Sequence, residues 1–249
     1  METNYEECRQ AERVLMVQEN KIELEHTAQS FLSGEKNRLG NRPKPVRDLI
    51  DTKVSNYLKK HPSVGSVESI MEILGNPKEG DERYELCFSI FTKDPGKQNL
   101  AERAQLRCLR SVKNLDASKL NADGAGSLRF VDSELVWDKN KKDLKGRIKT
   151  KSIDFRVQHP NGNEELICAK DTRGSGGHQD NQCEDIKGFL REAVNFLDKN
   201  PHCTLKFTAL VDGPYYNKNG KPTRQFNELR EVIPNNLKNR IRVTNSDDF

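Results

Sequence analysis

Asp154, Lys170, Asp171 and Arg173 are the residues of this chain whose types and spacing best suit chemistry. Asp154 lies among apolar neighbours in residues 151–159, a costly setting for a carboxylate without a partner. Lys170, Asp171 and Arg173 crowd the end of a second apolar run, residues 165–170. Two carboxylates and a cation on neighbouring segments can hold a divalent metal beside a phosphate. The acids ligate the ion, the ion polarises the phosphate and acidifies a bound water, and the cation steadies the attacking water or the developing charge. A plainer reading competes: Asp154 pairs with Arg156 or Arg173, and Lys170, Asp171 and Arg173 form the solvated end of a strand.

These residues need elements to place them. Ile153, Phe155 and Val157 recur at period two, as in a half-buried strand, which puts Asp154 in mid-strand. Pro160-Asn161-Gly162-Asn163 carries the Asn-Gly hairpin signal, and residues 165–170 form the return strand. The loop 171–180 has three glycines and no apolar residue. Ile186, Phe189, Leu190, Ala193, Val194 and Leu197 then fall at helical spacing, and Leu205, Phe207, Ala209 and Val211 alternate as a third strand.

In this order of elements, residues 151–243 resemble the core of the PD-(D/E)xK nuclease superfamily and, within it, the type II restriction endonucleases. The likeness covers roughly the last two-fifths of the chain. Asp154 stands for the first acid, preceded by Ile153 where the motif has proline. The second half of the motif fits in two ways. With Lys170 as the motif lysine, Cys168 occupies the acid position; with Asp171 as the acid, Arg173 occupies the basic one. The resemblance implies an α/β (α+β) fold, with a restriction-endonuclease-like mixed central sheet flanked by helices. It also implies Mg2+ held by Asp154 and Asp171, catalysis by these two with Lys170 and Arg173, and double-stranded DNA as substrate. A homodimer follows as well, since a symmetric site is commonly cut by a two-fold pair of subunits.

Hairpin geometry weighs the two motif readings. A two-residue turn at Asn161-Gly162 pairs 160 with 163, so paired positions sum to 323 and Asp154 faces Ala169. Asp154 then shares a face with Ala169 and Asp171, not with Cys168 or Lys170, which favours Asp171 as the second acid. Lys170 remains in reach at the strand end. A three-residue loop or a bulge would exchange the faces.

The 249 residues are ample for a sizeable core, in one domain or two. Apolar content of 33% against 32% charged residues describes a soluble, surface-rich chain, and no apolar run approaches a membrane span. Residues 1–21 lack an apolar signal core, so a cytoplasmic setting is expected. The net charge of +4 is only mildly basic. Six scattered cysteines form no Cys-x-x-Cys pair, which argues against a zinc ribbon or a disulfide framework. His178 with Cys183, or His202 with Cys203, reads better as surface histidine and buried thiol than as metal ligands.

Residues 1–98 are expected to be a mainly helical region for dimerisation or DNA contact, and residues 99–249 the catalytic core. Helical character covers 6–32; 33–45 is a linker. Val46 to Leu58 and Val67 to Leu74 form apolar stripes, either a DNA-reading helix-turn-helix or an ordinary helical hairpin. Residues 84–92 and 128–137 read as strands, the latter at the edge of the core sheet. A helix over 100–112 carries Arg103, Arg107 and Arg110, with Lys113 just after. Lys139, Lys141, Lys142, Lys145, Arg147, Lys149 and Lys151 make a basic run that is a solvated face or a phosphate-backbone contact. Arg173, His178, Gln179, Asn181 and Arg224, in or beside the loops 174–180 and 213–224, have groups suited to base edges. The function expected is a magnesium-dependent endonuclease cutting double-stranded DNA at a specific short sequence. The alternatives are a nucleic-acid-binding protein of the same fold without cleavage, and an RNA endonuclease.

Overall fold

A computed structural model of the chain describes residues 4–34, 44–78, 80–95, 99–122, 126–138, 150–174 and 177–249. It divides into two units, Arg13–Leu100 and Met1–Glu12 with Ala101–Phe249. The boundary expected near residue 98 therefore falls at Leu100, and the first residues of the chain go with the sheet unit rather than with the helical region.

The Arg13–Leu100 unit is helical. It contains most of α1 (Tyr5–Leu32), then α2 (Lys44–Arg47), a π-helical turn Asp48–Val54, α3 (Ser55–Lys60), α4 (Val67–Gly75) and α5 (Glu82–Phe91). Leu24, Ala28, Leu49, Ile50, Val54, Ile70, Met71, Leu74, Tyr84 and Phe91 form its core. The strand expected at 84–92 is overturned, because this stretch is α5. Tyr84, Leu86, Phe88 and Ile90 are apolar at period two and imitate a strand. The helix instead buries Tyr84, Cys87 and Phe91, spaced by three and four, and leaves Leu86 and Ile90 exposed. Asp81 starts it by accepting the Arg83 N–H at 3.0 Å.

The second unit is built on a sheet. Its elements are α6 (Leu100–Arg107), β1 (Asp116–Lys119), β2 (Ser127–Val131), β3 (Glu134–Asp138), β4 (Phe155–Gln158), β5 (Glu164–Asp171), α7 (Gly177–Lys199), β6 (Lys206–Asp212), β7 (Asn217–Lys218), β8 (Lys221–Pro222), α8 (Arg224–Glu231) and β9 (Ile241–Thr244). The main sheet has the order β1-β4-β5-β6-β9; β1, β4 and β5 are antiparallel, and β5, β6 and β9 parallel. The fold is thus mixed α/β around a five-stranded sheet. Its strand β5 is buried from Glu165 to Ala169, as a central strand covered on both faces must be. On one face, Leu166, Cys168, Phe207, Ala209 and Val211 pack under Ile186, Phe189, Leu190 and Ala193 of α7. On the other, Phe155, Val157, Ile167, Ala169 and Leu210 pack against Leu109.

The strand expected at 128–137 is a hairpin, β2–β3, forming a two-stranded sheet of its own. Asp132 and Ser133 both take positive φ (51° and 65°), the primed-turn geometry that matches strand twist, without the usual glycine. The edge strands of the main sheet are β1, beside β4, and β9, beside β6. Among the described residues, no helix is long and apolar enough to cross a membrane.

One turn in this unit tolerates no side chain. Gly213 follows β6 with φ +93°, and a Cβ there would lie 2.5 Å from the Thr172 carbonyl oxygen and 2.6 Å from Asp171 Oδ1. Gly213→Ala is expected to destabilise the protein by about 2 kcal/mol or more, through backbone strain and displacement of Asp171, as urea unfolding would register.

Candidate active site

The β4–β5 register differs by one residue from that of a two-residue turn. Phe155 pairs with Ile167 and Val157 with Glu165, so partners sum to 322 rather than 323. The slip comes from the turn. His159 N–H donates to the Asn163 carbonyl at 2.8 Å, leaving three residues in the loop, with Gly162 at φ +80°. The paired residues end at Phe155, and the Asp154 N–H returns to the Ile167 carbonyl, so regular alternation stops there. It is the Asp154 side chain that reaches the Cys168 thiol and the Lys170 charge, whereas Asp171 projects from the face opposite Lys170. The expected two-residue turn, with partners summing to 323 and Asp154 facing Ala169, is corrected by this one-residue change.

Asp154 stands one residue before β4, not in mid-strand, although its N–H already donates to the Ile167 carbonyl at 2.9 Å. Its Oδ2 accepts the Ala169 N–H at 2.7 Å, and the Cys168 thiol also donates to this carboxylate. Burial raises the Asp154 pKa, against the pull of the Lys170 charge and the Ala169 N–H. For Lys170, half-buried near the end of β5, burial disfavours the ammonium. Asp154, with Glu102 and Asp185 contributing, outweighs it, so the Lys170 pKa is raised and the side chain stays charged. Burial drives the Cys168 thiol far up, so it is a neutral thiol in the place of the motif's second acid.

Sequence reasoning missed Glu102 and Asp185. Glu102, on α6, pairs with Lys119 at 2.6 Å, and Asp185, on α7, pairs with Lys151. Neither belongs to a local pattern; Asp185 is a polar position just before the first apolar residue of the α7 stripe.

Asp171 belongs to a second cluster. It is the register partner of Asp212 across the parallel β5–β6 pair. Its side chain is 2% exposed, with Oδ2 receiving the Tyr5 hydroxyl and Arg173 Nε, each at 3.0 Å, and facing Arg9 Nε at 3.4 Å. Its Oδ1 is buried without a hydrogen-bond partner, as is Gln105 Oε1. Asp212 Oδ1 accepts the Ser246 N–H at 2.9 Å, and Oδ2 accepts Ser246 Oγ at 2.7 Å and Gln105 Nε2 at 2.8 Å. Burial pushes Asp212 up to about 6 despite these bonds, and the Asp171 carboxylate adds to the rise. Burial and Asp171 likewise push the Tyr5 hydroxyl far up. The start of α1 thus closes over a buried carboxylate pair, a role nothing in the spacing of residues 5–9 signals.

The remaining expected site residues are dispersed. Arg173 is committed to Asp171 and, through Nη2, to Glu6 at 2.8 Å. Asn181 is exposed on the first turns of α7, and Gln179, half-buried, lies against Gly174. Arg224 opens α8 and pairs with Glu228 at 2.9 Å. Arg103 and Arg107 bond to Glu12, Arg110 to the Ala117 carbonyl and Lys113 to the Asp247 carbonyl, so this basic helix ties the fold together. The side chain of His178, and Lys141, Lys142, Lys145, Arg147 and Lys149, lie outside the described residues.

Among the described residues, no group of three or more His, Cys, Asp or Glu side chains could form a protein metal cage. Magnesium does not require one. It commonly uses one or two carboxylates and completes its shell with substrate phosphate oxygens and waters. Asp154, anchored through one oxygen, fits such a shared ion, and Glu102 and Asp185 are further carboxylates whose charges reach Lys170. The neutral, soft Cys168 thiol is a poor ligand for it. Comparison with known proteins found no matching family model and no curated protein of similar sequence.

Proposed function

We propose that the chain is a metal-dependent endonuclease that hydrolyses phosphodiester bonds in double-stranded DNA at a specific short sequence, with Asp154 and Lys170 as its catalytic pair. The observation that carries this reading is the proximity of a buried carboxylate and an ammonium: Asp154 is bonded to the backbone of Ala169, next to Lys170, and its charge acts on Lys170. The Ala169 N–H aims the carboxylate, and the carboxylate keeps the ammonium charged. Bound at Asp154, magnesium would polarise the phosphate and lower the pKa of a water. Lys170 would donate to a non-bridging phosphoryl oxygen and stabilise the charge that develops there. A homodimer would present two such sites to the two strands. A reducing cytoplasm suits the six free thiols.

A second reading, binding without cleavage, is favoured by one observation: a protonated, buried thiol stands where a second acid would. Incubation with plasmid DNA and magnesium separates the two. Discrete fragments that vanish with chelator are the expected result; retarded but intact plasmid would sink the endonuclease reading in favour of binding alone.

A further inference from the structure

At the opposite end of the sheet from Lys170, the exit of β4 and the starts of β5, β6 and β9 border a pocket of about 240 Å³. His159, Glu165, Lys206, Lys238, Arg240 and Arg242 line it. Register places Glu165 beside Lys206 and Thr208 beside Arg242. Side-chain alternation then puts these four on the face away from α7, whereas Lys170, in step with Leu166 and Cys168, lies on the α7 face. From Glu165 to Lys170, β5 rises about 17 Å at roughly 3.3 Å per residue, so this pocket is separate from the candidate active site.

Its floor is built around a buried carboxylate. Glu165, with a side chain 1% exposed, accepts Arg242 Nε at 3.1 Å and Nη2 at 3.0 Å through Oε1, together with the Thr208 hydroxyl. Its Oε2 meets His159 Nε2 at 2.7 Å. The Phe249 ring lies 4.1 Å from the Arg242 guanidinium carbon, so Arg242 is held from two sides before any ligand arrives. Arg240 donates to the carbonyls of Pro201, Cys203 and Leu205, which fix its position but do not neutralise it. Lys206 and Lys238 have no ion pair among the described residues. Four basic side chains thus line a pocket whose lining holds one carboxylate, already bonded to Arg242, an excess of three formal positive charges. Among the described residues, Arg242 Nη1, Arg240 Nε and the two lysine ammonium groups make no hydrogen bond.

Converging, preorganised donors with excess positive charge select a compact oxyanion of high charge. The pocket has room for a phosphate and part of an attached sugar, not for a duplex. We propose that this pocket binds the phosphate group of a small molecule, either inorganic phosphate or a nucleotide, held by Lys206, Lys238 and Arg242. The site does not depend on the endonuclease reading.

Titration calorimetry on the whole chain tests it, with inorganic phosphate, adenosine 5′-monophosphate and a short duplex lacking terminal phosphates, each at ionic strength matched with chloride. Phosphate is expected to bind and to compete with the nucleotide. Lys206→Gln with Lys238→Gln should weaken both on the order of tenfold or more, because charge-assisted bonds are lost. Lys238 is exposed and Lys206 half-buried at the start of β6, and unchanged thermal unfolding without phosphate would show the variant folded. Much tighter nucleotide binding identifies a nucleotide phosphate as the ligand, and equal binding identifies free phosphate. Heat no larger than chloride produces, affinity unchanged in the double variant, or binding of the duplex alone would each overturn the proposal.

Discussion

Asp154→Asn is expected to lower magnesium-dependent cleavage on the order of 10³-fold or more, while DNA binding in the absence of metal stays close to that of the unaltered protein. The asparagine carbonyl can still accept the Ala169 N–H that Asp154 takes at 2.7 Å, so the start of β4 keeps its anchor. What disappears is the negative charge that would ligate the ion and that raises the Lys170 pKa. Lys170→Ala should cost a comparable factor in rate through lost transition-state charge stabilisation. Asp171→Asn separates the two clusters. Its ties to Tyr5, Arg9 and Arg173 are on the other face, so it should lower stability and leave the rate per folded molecule unchanged. Single-turnover rates on folded protein decide the matter. Cleavage by Asp154→Asn at the unaltered rate would remove the basis of the assignment, and a rate loss confined to Asp171→Asn would move the catalytic role to the Asp171 cluster.

How far the sequence reveals this arrangement depends on whether a feature is local. Alternation over 205–211 and the apolar stripe from Ile186 to Leu197 correspond to β6 and α7, because one buried face per element is written in the element itself. The β4–β5 hairpin was equally legible, yet its register was not. Two-residue and three-residue loops both accommodate Pro160-Asn161-Gly162-Asn163, and a single residue exchanges every side chain between faces. In α5 the local pattern was misleading, since apolar residues at period two also supply a helical stripe when two of them are left in water. The neighbours that define Asp171 were beyond any local signal. Tyr5 lies 166 positions earlier in the chain and is brought to the carboxylate only by folding.

Asp212 makes a pH-dependent contribution that one substitution should remove. Its carboxyl lies at the end of β6, facing Asp171 from β5, Gln105 and Cys108 from the α6 segment, Ser246 after β9, and Tyr5 from α1, with Arg9 and Arg173 beyond Asp171. Burial raises its folded pKa to about 6 from an ordinary value of 3.8. The folded state therefore holds this proton more tightly than the unfolded chain does. Its stabilising effect is complete below about pH 4, declines as pH rises towards and through about 6, and is absent above about pH 7. A shift of this size corresponds to about 3 kcal/mol. Asp212→Asn gives up the bond from Gln105 Nε2, at about 1–2 kcal/mol, at every pH. It is spared the ionisation penalty. The variant should thus be less stable than the unaltered protein near pH 4 and at least as stable near pH 7, the two stability curves crossing between. Urea unfolding of both proteins across that range reads the difference directly, because other titrating groups are common to both. A difference that does not change with pH, or one that grows against the variant as pH rises, would show that Asp212 is ionised in the folded protein throughout.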